Sequence, residues 1–232
     1  MNSEILLALE NIVGSSYIFI DDATRNTYGH DETEDLSFPP QVVVKPANTF
    51  EVSEILKISN RYKIPTVPIG ARTGLSGGAL AIYGGIGISM ERFNKILEID
   101  ERNLQITTEP GVITQVLREA AAEKGLLYPV DPSSMGSCWI GGNIAENSGG
   151  ARALKYGVTK DYVLNLEVVL PTGDIIWTGA NTLKNSTGYN LTQLMVGSEG
   201  TLGIVTKAVL KLIPQNKHNI LLLVPFVKAE EA

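Results

Sequence analysis

Four of the nine residues from Gly70 to Gly78 are glycine, at positions 70, 74, 77 and 78 of the stretch PIGARTGLSGG. Such a run gains nothing inside a helix or strand, where glycine loses more backbone freedom than any other residue. Its use is in a bend that must approach something closely. With few side chains in the way, successive backbone N–H groups can point at one anion, and a pyrophosphate suits that arrangement. Neither common phosphate motif is present. No Gly-Lys pair occurs anywhere, and no G-x-G-x-x-G follows a strand, so the Walker A loop and the Rossmann fingerprint are both excluded.

Two more glycine-bearing segments follow. Asp131 to Gly157 (DPSSMGSCWIGGNIAENSGGARALKYG) holds two Gly-Gly pairs, four serines, Asn143 and Asn147. Small residues let a flat ring come close, and amide and backbone groups can meet the carbonyls and nitrogens of a flavin. Gly197 to Thr206 (GSEGTLGIVT) is a glycine turn feeding an apolar strand, suited to clamp the same ligand. A packed glycine turn held by its own hydrogen bonds is the alternative reading of each.

Between these loops the pattern is that of an α+β domain. Val42 to Val44 reads as a strand, a helix starts at Thr49 with Val52, Ile55, Leu56 and Ser59 on one face, and Ile64 to Ile69 reads as a strand. Pro65 and Pro68 place that last strand at an edge or end. Apolar runs at Ile86 to Met90, Ile96 to Ile99 and Gln105 to Thr108 read as strands of a second, antiparallel sheet. Ile113 to Lys124 is a helix with Val116, Leu117, Ala120 and Ala121 on one face, capped by Gly125. Leu164 to Leu170 and Ile175 to Trp177 flank a hairpin turn at Pro171-Thr172-Gly173-Asp174. Ile204 to Leu212 and Ile220 to Val224 are further strands, and Tyr17 to Ile20 a short one. Asp21 to Pro40, with acids at 31, 32, 34 and 35, reads as a solvated loop.

Composition narrows the function. The chain has 232 residues, with 19 Lys and Arg against 25 Asp and Glu, a net charge of −6 that argues against nucleic acid. A 44% hydrophobic fraction is enough for a real core. Cys138 is the single cysteine, so no internal disulfide can form, which fits a cytoplasmic protein. The first residues read as an amphipathic helix rather than a signal peptide. No apolar run approaches the ~20 residues of a membrane span.

In order, PIGARTGLSGG, TTEPGV, PVDPSSMGSCWIGGNIAENSGG, YGVTKDYVLNLEVVLPTGDII and NSTGYNLTQLMVGSEGTLGIVT resemble the FAD domain of the vanillyl-alcohol oxidase / p-cresol methylhydroxylase superfamily. Within it the chain resembles the branch of glycolate oxidase, D-lactate dehydrogenase and D-2-hydroxyglutarate dehydrogenase. The resemblance implies a two-lobe FAD-binding domain of p-cresol methylhydroxylase type, with a small βαβ lobe and a larger antiparallel-sheet lobe. The expected division is 1–38 as helix and loop, 39–214 as the FAD domain (lobes about 39–100 and 101–214), and 215–232 as the start of a substrate cap domain that is otherwise missing.

The resemblance also implies site residues. Pro68, Gly70, Ala71, Arg72, Thr73, Gly74, Leu75, Ser76, Gly77 and Gly78 would wrap the pyrophosphate. Pro132, Ser133, Ser134, Gly136 and Ser137 would sit beside the flavin. Gly141, Gly142, Asn143, Ser148 and Gly149 would line the ring and ribityl chain. Gly200, Ile204 and Val205 would close the other side, and Glu109-Pro110-Gly111 would shape a wall. The first loop has no histidine to tether the cofactor, so FAD is expected to be non-covalent. The implied activity is oxidation of a small D-2-hydroxy acid to a 2-oxo acid by hydride transfer to FAD, with electrons leaving to a quinone or carrier protein. No catalytic or metal-binding residue is expected in this chain, because in this branch the cap supplies them, and the chain alone is expected to be inactive. Two rivals stand beside this reading: a short FAD-carrying subunit needing a partner chain, and a flavoenzyme like UDP-N-acetylenolpyruvoylglucosamine reductase. His30 and His218 read as exposed, Trp139 and Trp177 as core, Cys138 as structural, Lys184 and Tyr189 as tying their loop to the nucleotide lobe, and Glu199 as fixing its own turn. Gly77→Val is expected to fill the pyrophosphate space.

Overall fold

The computed structural model describes residues 1–218 and 220–231. Its first lobe begins with α1 (Ser3–Val13), β1 (Ile18–Phe19), α2 (Asp22–Thr27), β2 (Val42–Val44), α3 (Thr49–Tyr62), β3 (Thr66–Ile69) and β4 (Ile86–Ser89). These strands form one sheet in the order β1-β2-β4-β3, with β2, β4 and β3 parallel and β1 antiparallel to β2. β3 is an edge strand, as its prolines require. Asn48 caps α3 by accepting the Glu51 amide at 3.1 Å, and the Glu51 carboxylate takes the Ala47 amide at 2.7 Å. Capped in this way, α3 lays Val52, Ile55 and Leu56 onto β2 and β4 in a shared apolar core.

The second lobe holds β5 (Ile96–Asp100), β6 (Gln105–Thr108), α4 (Thr114–Glu123), β7 (Leu126–Leu127), α5 (Ile140–Glu146), α6 (Ala153–Tyr156), β8 (Val163–Val169), β9 (Ile175–Trp177), α7 (Leu191–Met195), β10 (Ile204–Lys211) and β11 (Ile213–Pro214). Its main sheet is antiparallel throughout, in the order β5-β6-β10-β8-β9, and β7 pairs with β11 in a small ribbon. The architecture is therefore the expected α+β fold: a small, mostly parallel lobe beside a larger antiparallel one.

Several local readings change. The run at Ile86 enters the first sheet between β2 and β3 instead of the second. Asp21 to Pro40 is not wholly a loop, because Asp21 accepts the Thr24 amide at 2.8 Å and starts α2. In α4 the buried positions are Thr114, Leu117 and Ala121, at i, i+3 and i+7, whereas Val116 is exposed. Trp177 is 45% exposed on the outermost strand and Trp139 is half-buried, so neither is a core residue. Ile220 to Val224 forms no strand.

The lobes are joined by polar pins as well as apolar packing. Glu167 on β8 accepts the Thr49 hydroxyl at 2.7 Å, the Thr206 hydroxyl at 2.9 Å and the Lys207 ammonium at 3.0 Å. Burial would raise its pKa, but those three donors together hold it below the ordinary value. The Ser53 hydroxyl donates to the Gly173 carbonyl at 2.5 Å, and Val169 and Ile204 of the second lobe complete the first lobe's core.

Candidate functional site

The edge strand β3 ends at Ile69 and runs straight into the first glycine loop. Arg72 and Gly77 have φ of 60° and 77°, so the chain bends sharply at both. The amides of residues 71 to 76, 78 and 79 donate to no acceptor among the described residues. Unsatisfied donors clustered in one bend are costly unless a ligand or water takes them.

α5 faces this loop from the second lobe. Its Gly141 amide donates to the Pro110 carbonyl at 2.7 Å, and a Cβ at Gly141 would stand 2.7 Å from the Pro110 ring. A Cβ at Gly142, by contrast, would meet nothing within 4 Å, whereas one at Gly70 would lie 4.0 Å from the Gly142 nitrogen. The two glycine segments thus face each other across a gap. The third loop is drawn in where Gly200, with φ of 73°, packs so tightly on Pro68 that a Cβ would overlap the ring.

All three loops border one cleft between the lobes, with an empty volume of about 1100 Å³ counting the part open to solvent. Pro68, Gly70, Ala71, Arg72, Thr73, Gly74, Ser76 and Gly78 line it, as do Ser134, Gly141, Gly142, Asn143, Ser148, Gly200, Ile204 and Val205. Leu75 does not, and is 78% exposed. Gly77 does not either; its Cβ direction points at Leu36, so a valine there would be opposed by backbone strain rather than by filling the cleft. Pro132, Ser133, Gly136, Ser137 and Gly149 also lie off the cleft wall. The Pro110 wall is present.

Some lining residues carry internal duties. Asn143, 2% exposed, donates to the Thr114 hydroxyl at 2.5 Å, and that hydroxyl lies 3.3 Å from the Cys138 thiol. Cys138 is buried in this network. Arg72 forms no ion pair among the described residues; its guanidinium lies 4.9 Å from the centre of the Tyr28 ring. His30 and His218 are exposed. Among the described residues no group of three or more His, Cys, Asp or Glu is placed to hold a metal.

Three acidic residues stand on the wall: Asp31 and Glu146, which sequence reasoning missed, and Glu199, which it read only as fixing its own turn. Glu146 was within reach, because it lies four residues after Gly142 and so shares that face of α5. Partial burial raises its pKa, as do the nearby Glu199 and Asp31 carboxylates, while the Ser76 hydroxyl at 3.2 Å works the other way. A Cβ on Gly78 would lie 2.9 Å from a Glu199 oxygen and 3.3 Å from a Glu146 oxygen. Asp31 had no usable signal, since nothing in its acidic run indicates which loop it meets.

A glycine loop with amides that have no partner among the described residues thus faces, across the cleft, a helix bare of side chains at Gly142. A family model described as an FAD binding domain matches residues 40–179. The chain belongs to that family, within the vanillyl-alcohol oxidase / p-cresol methylhydroxylase superfamily, and its cofactor is FAD. It is 53% identical over 193 residues to glycolate oxidase subunit GlcD of Bacillus subtilis (strain 168), covering 83% of this chain and 41% of the relative. It is 45% identical over 215 residues to D-lactate dehydrogenase of Anaerostipes hadrus, covering 92% and 45%. Among solved structures, an alkyldihydroxyacetonephosphate synthase superposes with a TM-score of 0.81 at 25% identity, over 92% of this chain and 41% of that one. The chain thus spans less than half the length of these relatives. No helix among the described residues is long and apolar enough to cross a membrane.

Proposed function

We propose that this chain is the cofactor-carrying part of an FAD-dependent 2-hydroxy-acid dehydrogenase, oxidising a small D-2-hydroxy acid of the glycolate or D-lactate type to a 2-oxo acid. The observation that carries the reading is the set of amides without a partner among the described residues, those of 71–74, 76, 78 and 79, in residues that line the interlobe cleft. Those amides would hold the pyrophosphate, and Arg72 would add a guanidinium suited to phosphate oxygens. Gly142 would let the dinucleotide approach α5 without a side chain between them. Ser134, Asn143 and Ser148 would face the flavin end, with Ile204 and Val205 closing the far wall. The relatives named for glycolate and D-lactate support the substrate class.

When bound, FAD supplies a hydride acceptor for the substrate's α-carbon. The residues of this chain bind and orient the dinucleotide. Cys138 lines the cleft, but its thiol lies 3.3 Å from the Thr114 hydroxyl and is assigned no tethering role; FAD is read as bound without a covalent link. No residue of this chain is assigned the choice of acid or the base for its hydroxyl proton. A boundary after residue 214, a cytoplasmic location and a quinone or protein electron acceptor belong to the same proposal; residues 1–38 are not a separate unit, because β1 pairs with β2 and α1 packs in the first lobe's core.

The test is a fluorescence titration of the apo chain with FAD, followed by acid precipitation. Flavin emission should change saturably on binding, and acid should release free FAD into the supernatant. Anaerobic addition of glycolate or D-lactate should bleach the flavin absorbance only in a chain extended past Ala232. Absence of FAD binding, or flavin that stays with the acid pellet, would contradict the assignment.

A further inference from the structure

The segment from Gly29 to Phe38 lies along the outside of the glycine loop as a strap. It is fastened at three places. The Glu32 amide donates to the Gly74 carbonyl at 3.1 Å, the Gly77 amide donates to the Asp31 carboxylate at 3.0 Å, and the Ala81 amide donates to the Phe38 carbonyl at 3.2 Å. The strap closes on itself where the Phe38 amide meets the Gly29 carbonyl at 2.8 Å. It precedes the segment matched by the family model, yet Asp31 reaches the cleft wall.

We propose that Asp31 is a positioning residue for FAD: by accepting the Gly77 amide it fixes the bend of the phosphate loop and leaves the neighbouring amides free to face the cleft. The inference rests on the reading of that loop as the pyrophosphate seat. Both carboxylate oxygens are used. Oδ2 takes the Gly77 amide, and Oδ1 takes the Thr33 amide at 3.0 Å together with the Thr33 hydroxyl. One oxygen therefore anchors the side chain in its own turn, and the other reaches across 46 positions of sequence to the loop. Gly77 is the right place to hold, because its φ of 77° is the left-handed turn that sends the chain back toward Leu80. Leu36 of the strap supports the same residue from outside.

The charge of Asp31 argues against the simpler idea that it is there for electrostatics. Asp31 stands near Glu146 and Glu199, on the wall proposed for a dianionic pyrophosphate. Its charge alone would weaken FAD binding. Its hydrogen bond to the loop would strengthen binding, and a charge-assisted bond is roughly twice as strong as a neutral one. The two effects predict opposite signs. An asparagine keeps one acceptor oxygen but cannot serve both Gly77 and Thr33, and an alanine serves neither.

The experiment compares wild type, Asp31→Asn and Asp31→Ala by FAD fluorescence titration well below each apo melting temperature, in 0.1 M and 0.5 M NaCl. Positioning predicts a weakening of about 10- to 100-fold for D31A. A smaller weakening is expected for D31N. Both losses should persist in high salt, which screens charge effects between exposed groups but not loop geometry. Hydrogen exchange of the apo protein should be faster at the Gly77 amide in D31A, the one amide of residues 71–79 that is hydrogen-bonded among the described residues. If D31A does not fold, D31N carries the test alone. Affinity equal to or tighter than wild type in a folded variant overturns the role of Asp31 and leaves the cofactor assignment standing. A wild-type chain that does not bind FAD overturns both.

Discussion

Glu167 and Glu146 are two carboxylates of one chain, treated in opposite ways. At the lobe junction Glu167 accepts from Thr49, Thr206 and Lys207, and its pKa lies below the ordinary value. At the cleft Glu146 has only the Ser76 hydroxyl and faces Glu199 and Asp31, and partial burial together with those acids raises its pKa. The junction spends its polar groups on folding. The cleft leaves carboxylates crowded and, among the described residues, eight loop amides unpaired, donors that a ligand or water must take. The difference separates the part of the molecule built for stability from the part held ready for binding.

Removing the junction carboxylate should have the largest effect. Glu167→Ala leaves Lys207 without its partner, the buried Thr49 hydroxyl without its acceptor and the Thr206 hydroxyl with only the residue 167 carbonyl at 3.4 Å, and should destabilise the protein by about 2–3 kcal/mol in urea denaturation. Because the folded pKa of Glu167 is lowered, its contribution is present above the ordinary value of 4.5 and is lost as pH falls through the folded value. An unchanged urea midpoint would show that the Glu167 carboxylate does not hold the lobes together.

Gly142→Val should act on the other side of the comparison. Valine is no worse than glycine in a helix, and the new Cβ finds open space, so the apo melting temperature should hold or rise slightly. FAD affinity should fall by about tenfold or more, because the side chain enters the cleft. Unaltered affinity would place the dinucleotide away from α5.

The smallest effect is expected from Glu146→Gln. With a raised folded pKa, Glu146 adds stability below about 4.5 and loses it as pH rises through the folded value. The variant should match wild type in acid and become more stable at neutral pH, by well under ~1 kcal/mol for a carboxylate still in touch with solvent. Thermal melts at several pH values read this directly, and a variant less stable at neutral pH would mean that Glu146 has an unrecognised partner.

Much of the fold was legible because its signals are local. The Val42 run, the helix start at Thr49 and the Pro171 to Asp174 turn each depend on a few adjacent residues, and α3 on a repeat within its own length. The strand at Ile86 was legible as a strand but not as a member of its sheet. Four residues, buried on both faces, carry no mark of which neighbours they will pair with. Trp177 failed for a similar reason: an aromatic on a strand is buried only if another layer covers that strand, and β9 is outermost.

The sequence by itself determined where the backbone is bare, and some of its bends, since glycine suits the left-handed turn at Gly77 and the close contact of Gly200 with Pro68, whereas the left-handed Arg72 carries no such mark. Hence the class of ligand was within reach before any coordinates. Only the tertiary structure decided which bare segments face one cleft, which carboxylates crowd it, and that Asp31 grips the loop from 46 positions away. Those relations depend on how two sheets meet, and a contact between distant segments leaves no periodicity in either one.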